Sequence, residues 1–393
     1  MTISAGFPGR LSRLRRTALI AAAAGAVVCI VGYFLARERF YPAYLTAFIY
    51  FLAIALGCLA LALVHGMSGG GWGRTIRRVV EAGCETLPLM AVLFVPLWLG
   101  AAQIYPWADS EAVKNQAELA RKAGYLNLPG FHLRTIIYFV LWLLVTWMLN
   151  RSSPNQEPDE DSPRSLRLQR DSGLGFIIYG VTCTLAAVDW IMSLEPEWYS
   201  TMYGLIQMAG QGVSGLSFAL IVVIALREFE PWSRLVTPVR LNDLGNLLLA
   251  AVMFWAYCSF FQYLVIWSGN LPEENIWYVH RSHGGWQYLA PLLVAAHFAV
   301  PFLLLLSRRL KRQPIDLARI AGLLLAVRYI DLYWQIVPGF RDSGSVRRLA
   351  PHWLDVAAFV AVGGAWLAVF VWRLSARAQL PLYDLELHEV ASG

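Results

Sequence analysis

Long, predominantly apolar runs recur along the whole chain, and they constrain its fold more than any other feature. Gly173–Leu194 is almost unbroken in apolar character over 22 residues, which is long enough for a helix to cross a hydrocarbon core of about 30 Å. Hydrophobic residues make up 58% of the chain and charged residues only 15%, whereas soluble domains carry about 25% charged residues. The sequence therefore predicts an integral membrane protein.

Ten of these runs are long enough to be membrane spans, so the predicted fold class is an all-α integral membrane protein with about ten transmembrane helices. The first run follows a basic segment, and no clear cleavage site comes after it, which favours a retained span over a signal peptide. The predicted spans are Thr17–Ala36, Tyr44–His65, Val80–Gln103, Leu133–Leu149, Gly173–Leu194, Tyr199–Leu226, Leu244–Ser268, Gly285–Ser307, Leu317–Val337 and Trp353–Trp372.

Lys and Arg are distributed unevenly between the two sides that alternate spans define. With the N-terminus in the cytoplasm, 21 of them fall on the cytoplasmic side and 10 on the other, while Arg328 lies inside a span. The positive-inside rule therefore predicts that both termini are cytoplasmic.

Polar segments divide the chain into five parts. These are a basic cytoplasmic tail (1–16), spans one to four (17–150), a cytoplasmic linker (151–172), spans five to ten (173–374) and a second cytoplasmic tail (375–393). The linker is rich in Ser, Pro, Asp and Glu and lacks aromatic residues, which predicts a flexible segment. The outward loop Trp107–His132 is mixed in charge, and we expect part of it, 111–124, to be helical.

Several common chemistries lack their sequence signatures. The five cysteines lie in apolar runs without a CxxC or CxxCH pattern, which argues against iron–sulfur clusters, c-type haem and a disulfide framework in this chain. A haem b held by two histidines is disfavoured because His297 alone lies well inside a span. His280 and His283 are three residues apart in an outward loop, a weak metal signal for which a solvated loop is the preferred interpretation. No Walker A, HExxH or GxSxG pattern is present.

One carboxylate, Asp189, lies near the outward end of the fifth span. A charged group at bilayer depth costs about 2.5–3.5 kcal/mol on the insertion scale, so it marks a functional-site candidate. Gly175, Thr182 and Asp189 recur every seven residues and form a small, polar stripe on an otherwise apolar helix. Because small residues let helices approach closely and polar ones bond across the contact, we expect this stripe to face other helices.

Other ionisable and amide side chains lie at membrane depth, and together they form a polar ladder that reaches in from both faces. Carboxylates and histidines are groups that relay protons. Structural alternatives stay open: a packing ion pair for Arg328 and Asp331, snorkelling for Glu81 and Glu85, a satisfied core position for His297, and interhelical contacts for the glutamines. The candidates for a proton path are Asp189, Asp331, Arg328, Glu85, Glu81, His297 and Gln262.

Two stretches of the sequence resemble a known family. Ala187–Gly204 reads AVDWIMSLEPEWYSTMYG, and Leu244–Glu274 contains an FW-Y--F-Q-L-IW--N-PEE pattern. These elements are similar to the membrane subunits of bacterial alternative complex III, relatives of the NrfD/PsrC-like subunits of quinone oxidoreductases. That complex has two paralogous multi-pass subunits, and the length and the lack of cofactor motifs resemble the smaller one more than the larger. The resemblance covers residues 17–375.

The resemblance implies a fold and a set of partners. It implies two four-helix bundles, spans two to five and six to nine, flanked by the first and last spans. It implies a component of the bacterial inner membrane with no redox centre of its own. Its partners would be the larger paralogous membrane protein, which carries the quinol site, a multihaem cytochrome c subunit, an iron–sulfur subunit and small membrane subunits.

The complex of that family oxidises quinol, and its smaller paralogue is proposed to conduct protons beside the larger one. Asp189 and Gln262 lie within the matched motifs, whereas the other proton-path candidates lie outside them. Two further hypotheses stay open. The chain could be only a structural anchor of the complex, or it could be an independent secondary transporter. The lack of internal repeats and the expected unbroken helices disfavour the transporter.

Overall fold

Within the described part of the chain, ten helices are long and apolar enough to cross a membrane, and the protein is a multi-pass, all-α membrane protein. The structure, a computed structural model, describes residues 7–115, 117–152, 163–230, 232–342 and 345–378. The spans are Gly9–Leu35, Arg37–Ser68, Gly71–Leu99, Leu128–Arg151, Leu166–Leu194, Tyr203–Leu226, Pro238–Gly269, Trp286–Leu306, Pro314–Gly339 and Trp353–Ala376. The predicted fold class and number of spans are therefore confirmed.

The helices alternate with short connections along the described part of the chain. Those of the first half are α1 (Phe7–Leu35), α2 (Arg37–Ser68), α3 (Gly71–Cys84), α4 (Leu87–Leu93), α5 (Val95–Leu99), α6 (Ala101–Ile104), α7 (Ser110–Asn115), α8 (Ala117–Lys122), α9 (Leu128–Ser152) and α10 (Pro163–Trp190). Those of the second half are α11 (Tyr203–Leu226), α12 (Trp232–Leu235), α13 (Pro238–Gly269), α14 (Pro272–His280), α15 (Leu289–Leu293), α16 (Val300–Leu306), α17 (Arg308–Arg312), α18 (Pro314–Ile336) and α19 (Trp353–Ala378).

Two spans are irregular, which corrects the expectation of unbroken helices. In the third span, α3, α4 and α5 follow one another, and Pro88 and Pro96 stand in the first turns of α4 and α5. Proline removes a backbone donor and clashes with the preceding turn, so it interrupts the hydrogen-bond pattern there. In the eighth span, a π-helical segment, Val294–Ala299, joins α15 to α16. Such segments are rare and often mark functional sites.

We call spans two to five the first group and spans six to nine the second group, and the first and last spans lie beside them. In the first group α2 contacts α3 and α10, and α10 contacts α9. In the second group α11 contacts α13 and α18, and the π-helical segment contacts α18. α1 lies along α19, and α2 also contacts α11, α18 and α19.

The two groups meet backbone to backbone at a pair of glycines. A Cβ atom added to Gly57 of α2 would overlap the carbonyl oxygen of Gln211 on α11. A Cβ atom added to Gly215 of α11 would lie 2.5 Å from the carbonyl carbon of Gly57. Small residues at such a crossing are what allow membrane helices to approach closely, and this contact holds Gln211 beside the first group.

The two membrane faces differ in charge. We call one of them the basic face, because the span ends there carry the arginine clusters around Arg74, Arg151, Arg227 and Arg308. The opposite face carries α7, α8, α14 and a two-residue antiparallel hairpin of β1 (Arg341–Asp342) and β2 (Ser345–Val346). The helices α7 and α8 confirm the prediction that part of the loop Trp107–His132 is helical.

The polar segments at the basic face differ in part from their predicted form. α1 begins at Phe7, inside the predicted tail 1–16, and α19 continues to Ala378, inside the predicted tail 375–393. α10 begins at Pro163, so residues 163–172 of the predicted linker are helical. This stretch carries Leu166, Leu168 and several arginines, which favour helix. Residues 1–6, 153–162 and 379–393, which complete these three predicted segments, lie outside the described residues.

Candidate functional site

Arg328 and Asp331 form a buried ion pair at the centre of the second group of spans. They lie three residues apart on α18, where helical spacing puts them on one face. The Arg328 side chain is fully buried and the Asp331 side chain is 2% exposed, and an Nη1 hydrogen bond joins them. The close approach of α11 makes room for the guanidinium, since a Cβ atom at Gly210 would overlap Arg328 Cζ.

Two glutamines close this pair into a ring of hydrogen bonds. Arg328 Nη2 donates to Gln207 Oε1 at 2.9 Å, and Gln207 Nε2 donates to Gln335 Oε1 at 2.5 Å. Gln335 Nε2 donates to Asp331 Oδ1 at 2.8 Å. We call Gln207, Arg328, Asp331 and Gln335 the Asp331 cluster. The ring pairs the two charges in a medium where an unpaired charge is costly, and Arg328 Nε is left without a hydrogen-bond partner among the described residues.

His297 lies beside this cluster with unused hydrogen-bonding capacity. It is fully buried in the π-helical segment, its ring centroid lies 3.8 Å from that of Trp255, and its Nδ1 lies 3.9 Å from Asp331 Oδ2. Within the described part of the chain, neither ring nitrogen has a hydrogen-bond partner. His297 is therefore not the hydrogen-bonded core histidine that the structural alternative predicted. The structure puts a titratable ring within reach of a carboxylate.

A second buried ionic group lies between the cluster and the opposite face. Glu195 accepts from Arg281 Nη2 at 2.7 Å, and its other oxygen lies 2.5 Å from His280 Nδ1. The His280 side chain is 15% exposed, whereas those of Glu195 and Arg281 are 5% and 1% exposed. Burial by itself would raise the pKa of Glu195, but the positive charge and hydrogen bonds of Arg281 and His280 hold that pKa below its ordinary value.

Arg281 connects this ionic group to the end of α18. Its guanidinium donates to the carbonyl oxygens of Trp277, Trp334 and Gln335 at 2.8, 3.1 and 2.7 Å. It also lies over the Trp277 ring at 3.7 Å from the centroid. The arrangement links a partly exposed histidine to the backbone of Gln335, whose side chain separately donates to Asp331.

Toward the first group of spans, the cluster ends at a small mid-membrane cavity. This cavity has a volume of about 20 Å³ and is lined by Gln207 and Gln211 among apolar side chains. A volume of about 10–15 Å³ is enough for one water, so a water can bridge the two amides. Gln211 Oε1 in turn accepts from the Tyr179 hydroxyl at 2.6 Å.

An apolar layer lies between Tyr179 and the basic face. One helical turn from Tyr179, a Cβ atom at Gly175 would lie 2.6 Å from Leu63 Cδ2 and 2.9 Å from Val145 Cγ1. Beyond this layer a cavity of about 60 Å³ is lined by His65, Glu81 and Asn150 among others. The polar groups therefore form two stretches, one from each face, with tightly packed aliphatic side chains between them.

The glutamates at the basic face belong to the shorter of these stretches. Glu81 is 7% exposed as a whole residue and is paired with Arg77 at 3.1 Å and Arg78 at 3.8 Å. Glu85 accepts from Asn150 at 3.1 Å and lies 4.0 Å from Arg373 Nε. Both glutamates are therefore held in ion pairs near the basic face, and Glu81 also lines the cavity of about 60 Å³.

Asp189 lies apart from all of these groups. Arg134 Nε donates to one carboxylate oxygen at 2.8 Å and Arg134 Nη2 to the other at 3.0 Å. The Tyr138 hydroxyl donates to the carboxylate at 2.7 Å. We call Arg134, Tyr138 and Asp189 the Asp189 cluster. The small, polar stripe does face other helices, since Thr182 accepts from Trp142 Nε1 at 2.8 Å.

Gln262 is placed at a large cavity on the lipid-facing side of the Asp331 cluster. It accepts from the Ser200 hydroxyl at 2.8 Å, and its amide lies 3.4 Å from the Tyr278 hydroxyl. The cavity has a volume of about 940 Å³ and also reaches Asp331 and Gln335. Gln262 therefore shares a cavity wall with Asp331, although the two side chains belong to different hydrogen-bonded groups.

Several residues of these groups were missed by reasoning from the sequence. Arg134, Tyr138, Glu195, His280 and Arg281 were not predicted as site residues, and His280 was assigned to a solvated loop. The signal that could have found the charged ones is their position at the ends of apolar runs: Arg134 is the second residue of the predicted fourth span, and Glu195 directly follows the fifth. In the part of the chain that the structure describes, no three His, Cys, Asp or Glu side chains are grouped for a metal ion.

The chain was also compared with known proteins. No protein-family model matches it, and no curated protein matches it significantly. The resemblance to the membrane subunits of alternative complex III therefore stays a hypothesis that rests on the two sequence stretches.

Proposed function

We propose that this chain is a proton-conducting membrane subunit of a quinol-oxidising electron-transfer complex of the alternative complex III type. The observation that carries the proton role is the Asp331 cluster, in which a carboxylate, two amides and an adjacent unpartnered histidine are buried at membrane depth. Ionisable groups in such positions commonly serve proton relays. The quinol-oxidising setting is supported by the two matched sequence stretches.

The contacts supply an order for the groups along such a path. On the opposite face, His280 and Glu195 collect or release protons. Arg281 keeps its own proton and holds Glu195 next to the backbone of Gln335, and the proton passes between Glu195 and Asp331 over intervening water. His297 accepts and returns a proton beside Asp331. The small cavity between Gln207 and Gln211 holds the bridging water, and rearrangement of the Leu63–Val145 layer then connects the path to Glu81 and Glu85.

In this proposal the basic face is cytoplasmic and the membrane is the bacterial inner membrane, as the distribution of Lys and Arg favours. The path then runs between the external side, at Glu195, and the cytoplasm, at Glu81. Quinol is bound by the larger paralogous membrane protein, and haem c and iron–sulfur clusters belong to partner subunits. This chain supplies no redox group.

The proposal is tested by isolating the chain from its native membrane through a C-terminal tag. We expect haem c absorbance, protein-bound iron–sulfur clusters and a larger paralogue to co-purify with it. Isolation of the chain without any of these components contradicts the assignment to the complex. Solute uptake by vesicles that contain the chain alone favours the transporter instead.

A further inference from the structure

A cavity of about 780 Å³ forms a furrow along α1, and α2, α5 and α19 supply most of the rest of its wall. Phe34 and Leu99 line the furrow and are 79% and 75% exposed at membrane depth. The furrow is therefore open to the bilayer. Pockets for small ligands typically measure about 300–1,000 Å³, so the furrow has room for a hydrocarbon chain that enters from the membrane.

The wall of the furrow is uncharged. None of its described lining residues is Asp, Glu, Lys or Arg. Tyr44 also lines it, but its hydroxyl already donates to the carbonyl oxygen of Leu93 at 2.8 Å. Toward the basic face the walls contributed by α1 and α19 are aliphatic, with Leu19, Ala22 and Ala365. Such a wall matches an alkyl chain by van der Waals contact, and a polar head group needs an anchor outside the furrow.

Helical spacing puts one arginine, Arg15, on the furrow side of α1. At about 100° per residue, Arg15 lies within about 40° of Leu19, Ala26 and Tyr33 around the helix axis, and these three residues line the furrow. Leu19 follows Arg15 by one helical turn. The guanidinium group therefore lies at the end of the furrow that is nearest to the basic face.

Trp372 of α19 borders the same end of the furrow. It follows Ala365 by seven residues, which puts both residues on one side of α19. Arg15 Cζ lies 5.9 Å and Arg373 Cζ 4.3 Å from the centroid of the Trp372 ring. Glu85 lies 4.0 Å from Arg373 Nε, but no described carboxylate forms an ion pair with Arg15. Two guanidinium groups thus share one tryptophan, and that of Arg15 has no anion among the described residues.

The charges at this end of the furrow favour an anionic head group. Residues 7–16 and 371–376 contain five arginines and no Asp or Glu. Arginine matches the oxygens of a phosphate group with paired hydrogen bonds, and basic clusters at a membrane surface attract anionic lipids. A partner helix usually carries Lys or Arg of its own at this face, and a zwitterionic lipid brings an ammonium group. Both would put a positive charge next to the arginines.

We infer that the furrow binds an anionic phospholipid from the leaflet at the basic face, with its phosphate at Arg15 and Arg373 and one acyl chain along α1. The lipid connects α1, which packs mainly on α19, to α5 across the furrow. This inference goes beyond the proposed function and does not depend on it, because it concerns a lipid site outside the proposed proton path.

The experiment uses the full chain, isolated from its native membrane with any partners that remain bound, in phosphatidylcholine vesicles. The probe is a phosphatidylglycerol with a photoreactive diazirine on one acyl chain. We expect label on α1 between Leu19 and Tyr33 and on α19 between Ala361 and Ala365. Unlabelled phosphatidylglycerol should displace this label, and phosphatidylethanolamine should not.

Two pairs of variants on α1 separate the head-group contact from the chain contact. Arg15→Gln should reduce the label about fivefold, since one arginine near the membrane surface contributes about 1 kcal/mol to the binding of anionic lipid. Ala26→Phe fills the furrow and should reduce the label about tenfold. Arg13→Gln and Ala24→Phe are the matched controls. Each lies two residues away, about 160° around the helix, and should leave the label at its wild-type level.

Four results would overturn the inference. The first two are label that phosphatidylethanolamine displaces as well as phosphatidylglycerol does, and equal losses in Arg15→Gln and Arg13→Gln. The third is a polypeptide cross-linked in the furrow in place of the probe. The fourth is label that appears only after removal of residues 379–393, which carry Asp384, Glu386 and Glu389, because the acidic tail would then be the partner of the arginines. The labelling is read first in the wild type, so the inference stays testable if a variant fails to fold.

Discussion

Asp189 and Asp331 are two buried aspartates with arginine partners, one in each group of four spans, but their surroundings differ. Asp189 receives both nitrogens of a forked Arg134 contact and the Tyr138 hydroxyl, which occupy both of its oxygens. Asp331 shares Arg328 with Gln207 and accepts from Gln335, and the unpartnered ring of His297 lies 3.9 Å away.

The difference shows that burial of a carboxylate at membrane depth does not by itself indicate proton transfer. A forked arginine contact fixes a carboxylate in both position and charge, so the Asp189 cluster is suited to hold α9 against α10. The Asp331 cluster is bordered by a small cavity on one side and by a large one on the other, which give water and ligands access. Contact with these two cavities is therefore the feature of the Asp331 cluster that supports a role in proton transfer.

The largest expected effect comes from Asp331→Asn. This change leaves the buried Arg328 charge without its anion, and breaking a buried pair costs about 3–5 kcal/mol. Thermal unfolding of the purified complex should show the loss. Asp331→Glu keeps the charge and is the control, and an equal loss in both variants would show that shape matters more than charge at this position.

Asp189→Asn should lower the free energy of unfolding by less, about 3 kcal/mol. The reason is that the Arg134 side chain is 18% exposed and can turn toward the surface. The same unfolding measurement applies, followed by the yield of assembled complex. If Asp189→Asn left stability unchanged, the anchoring role of the Asp189 cluster would be wrong.

Of these residues, reasoning from the sequence could predict the Arg328–Asp331 pair, because three residues along a helix are close in any fold. It could not predict the ring around the pair. Gln207 and Gln335 are 128 residues apart, Glu195 and His280 are 85 apart, and Arg134 and Asp189 are 55 apart. Such contacts depend on which spans pack together, and apolar run lengths determine the spans but not their neighbours. Hence the ten spans were predicted correctly, whereas the partners of Asp189 were not.

Glu195→Gln tests the end of the proposed proton path at the opposite face. The change should lower the free energy of unfolding by about 2 kcal/mol, because Arg281 retains three carbonyl acceptors. The lowered pKa of Glu195 means that its stabilisation is complete above the ordinary glutamate pKa of about 4.3 and is lost as the pH falls through the lower folded value. Thermal stability measured from pH 7 to pH 3 should therefore fall more steeply in the wild type than in Glu195→Gln. Parallel profiles would contradict this.

Two glycines on α11 test the role of the Asp331 cluster with a smaller expected loss of stability. A methyl group at Gly210 would displace the Arg328 guanidinium, whereas nothing lies within 4 Å of a Cβ atom at Gly212. We expect Gly210→Ala to cost about 1–2 kcal/mol through overpacking and to reduce proton movement. Gly212→Ala should be neutral or slightly stabilising. Similar effects of the two changes on proton movement would show that the position of Arg328 is not critical.

The smallest expected effect is that of Tyr138→Phe, which removes one hydrogen bond to Asp189 and leaves the arginine contact in place. The cost should be about 1 kcal/mol, read as a small shift in thermal unfolding. Proton movement should not change. A loss of proton movement in this variant would connect the Asp189 cluster to the path after all.

Proton movement coupled to quinol oxidation tests the central claim most directly. The complex is reconstituted into vesicles with a trapped pH indicator, and protons moved per electron are compared for the wild type, Asp331→Asn and Asp189→Asn at equal quinol turnover. The account predicts that Asp331→Asn abolishes the movement through this chain and that Asp189→Asn retains the wild-type ratio. An unchanged ratio in Asp331→Asn, or a loss confined to Asp189→Asn, would contradict it.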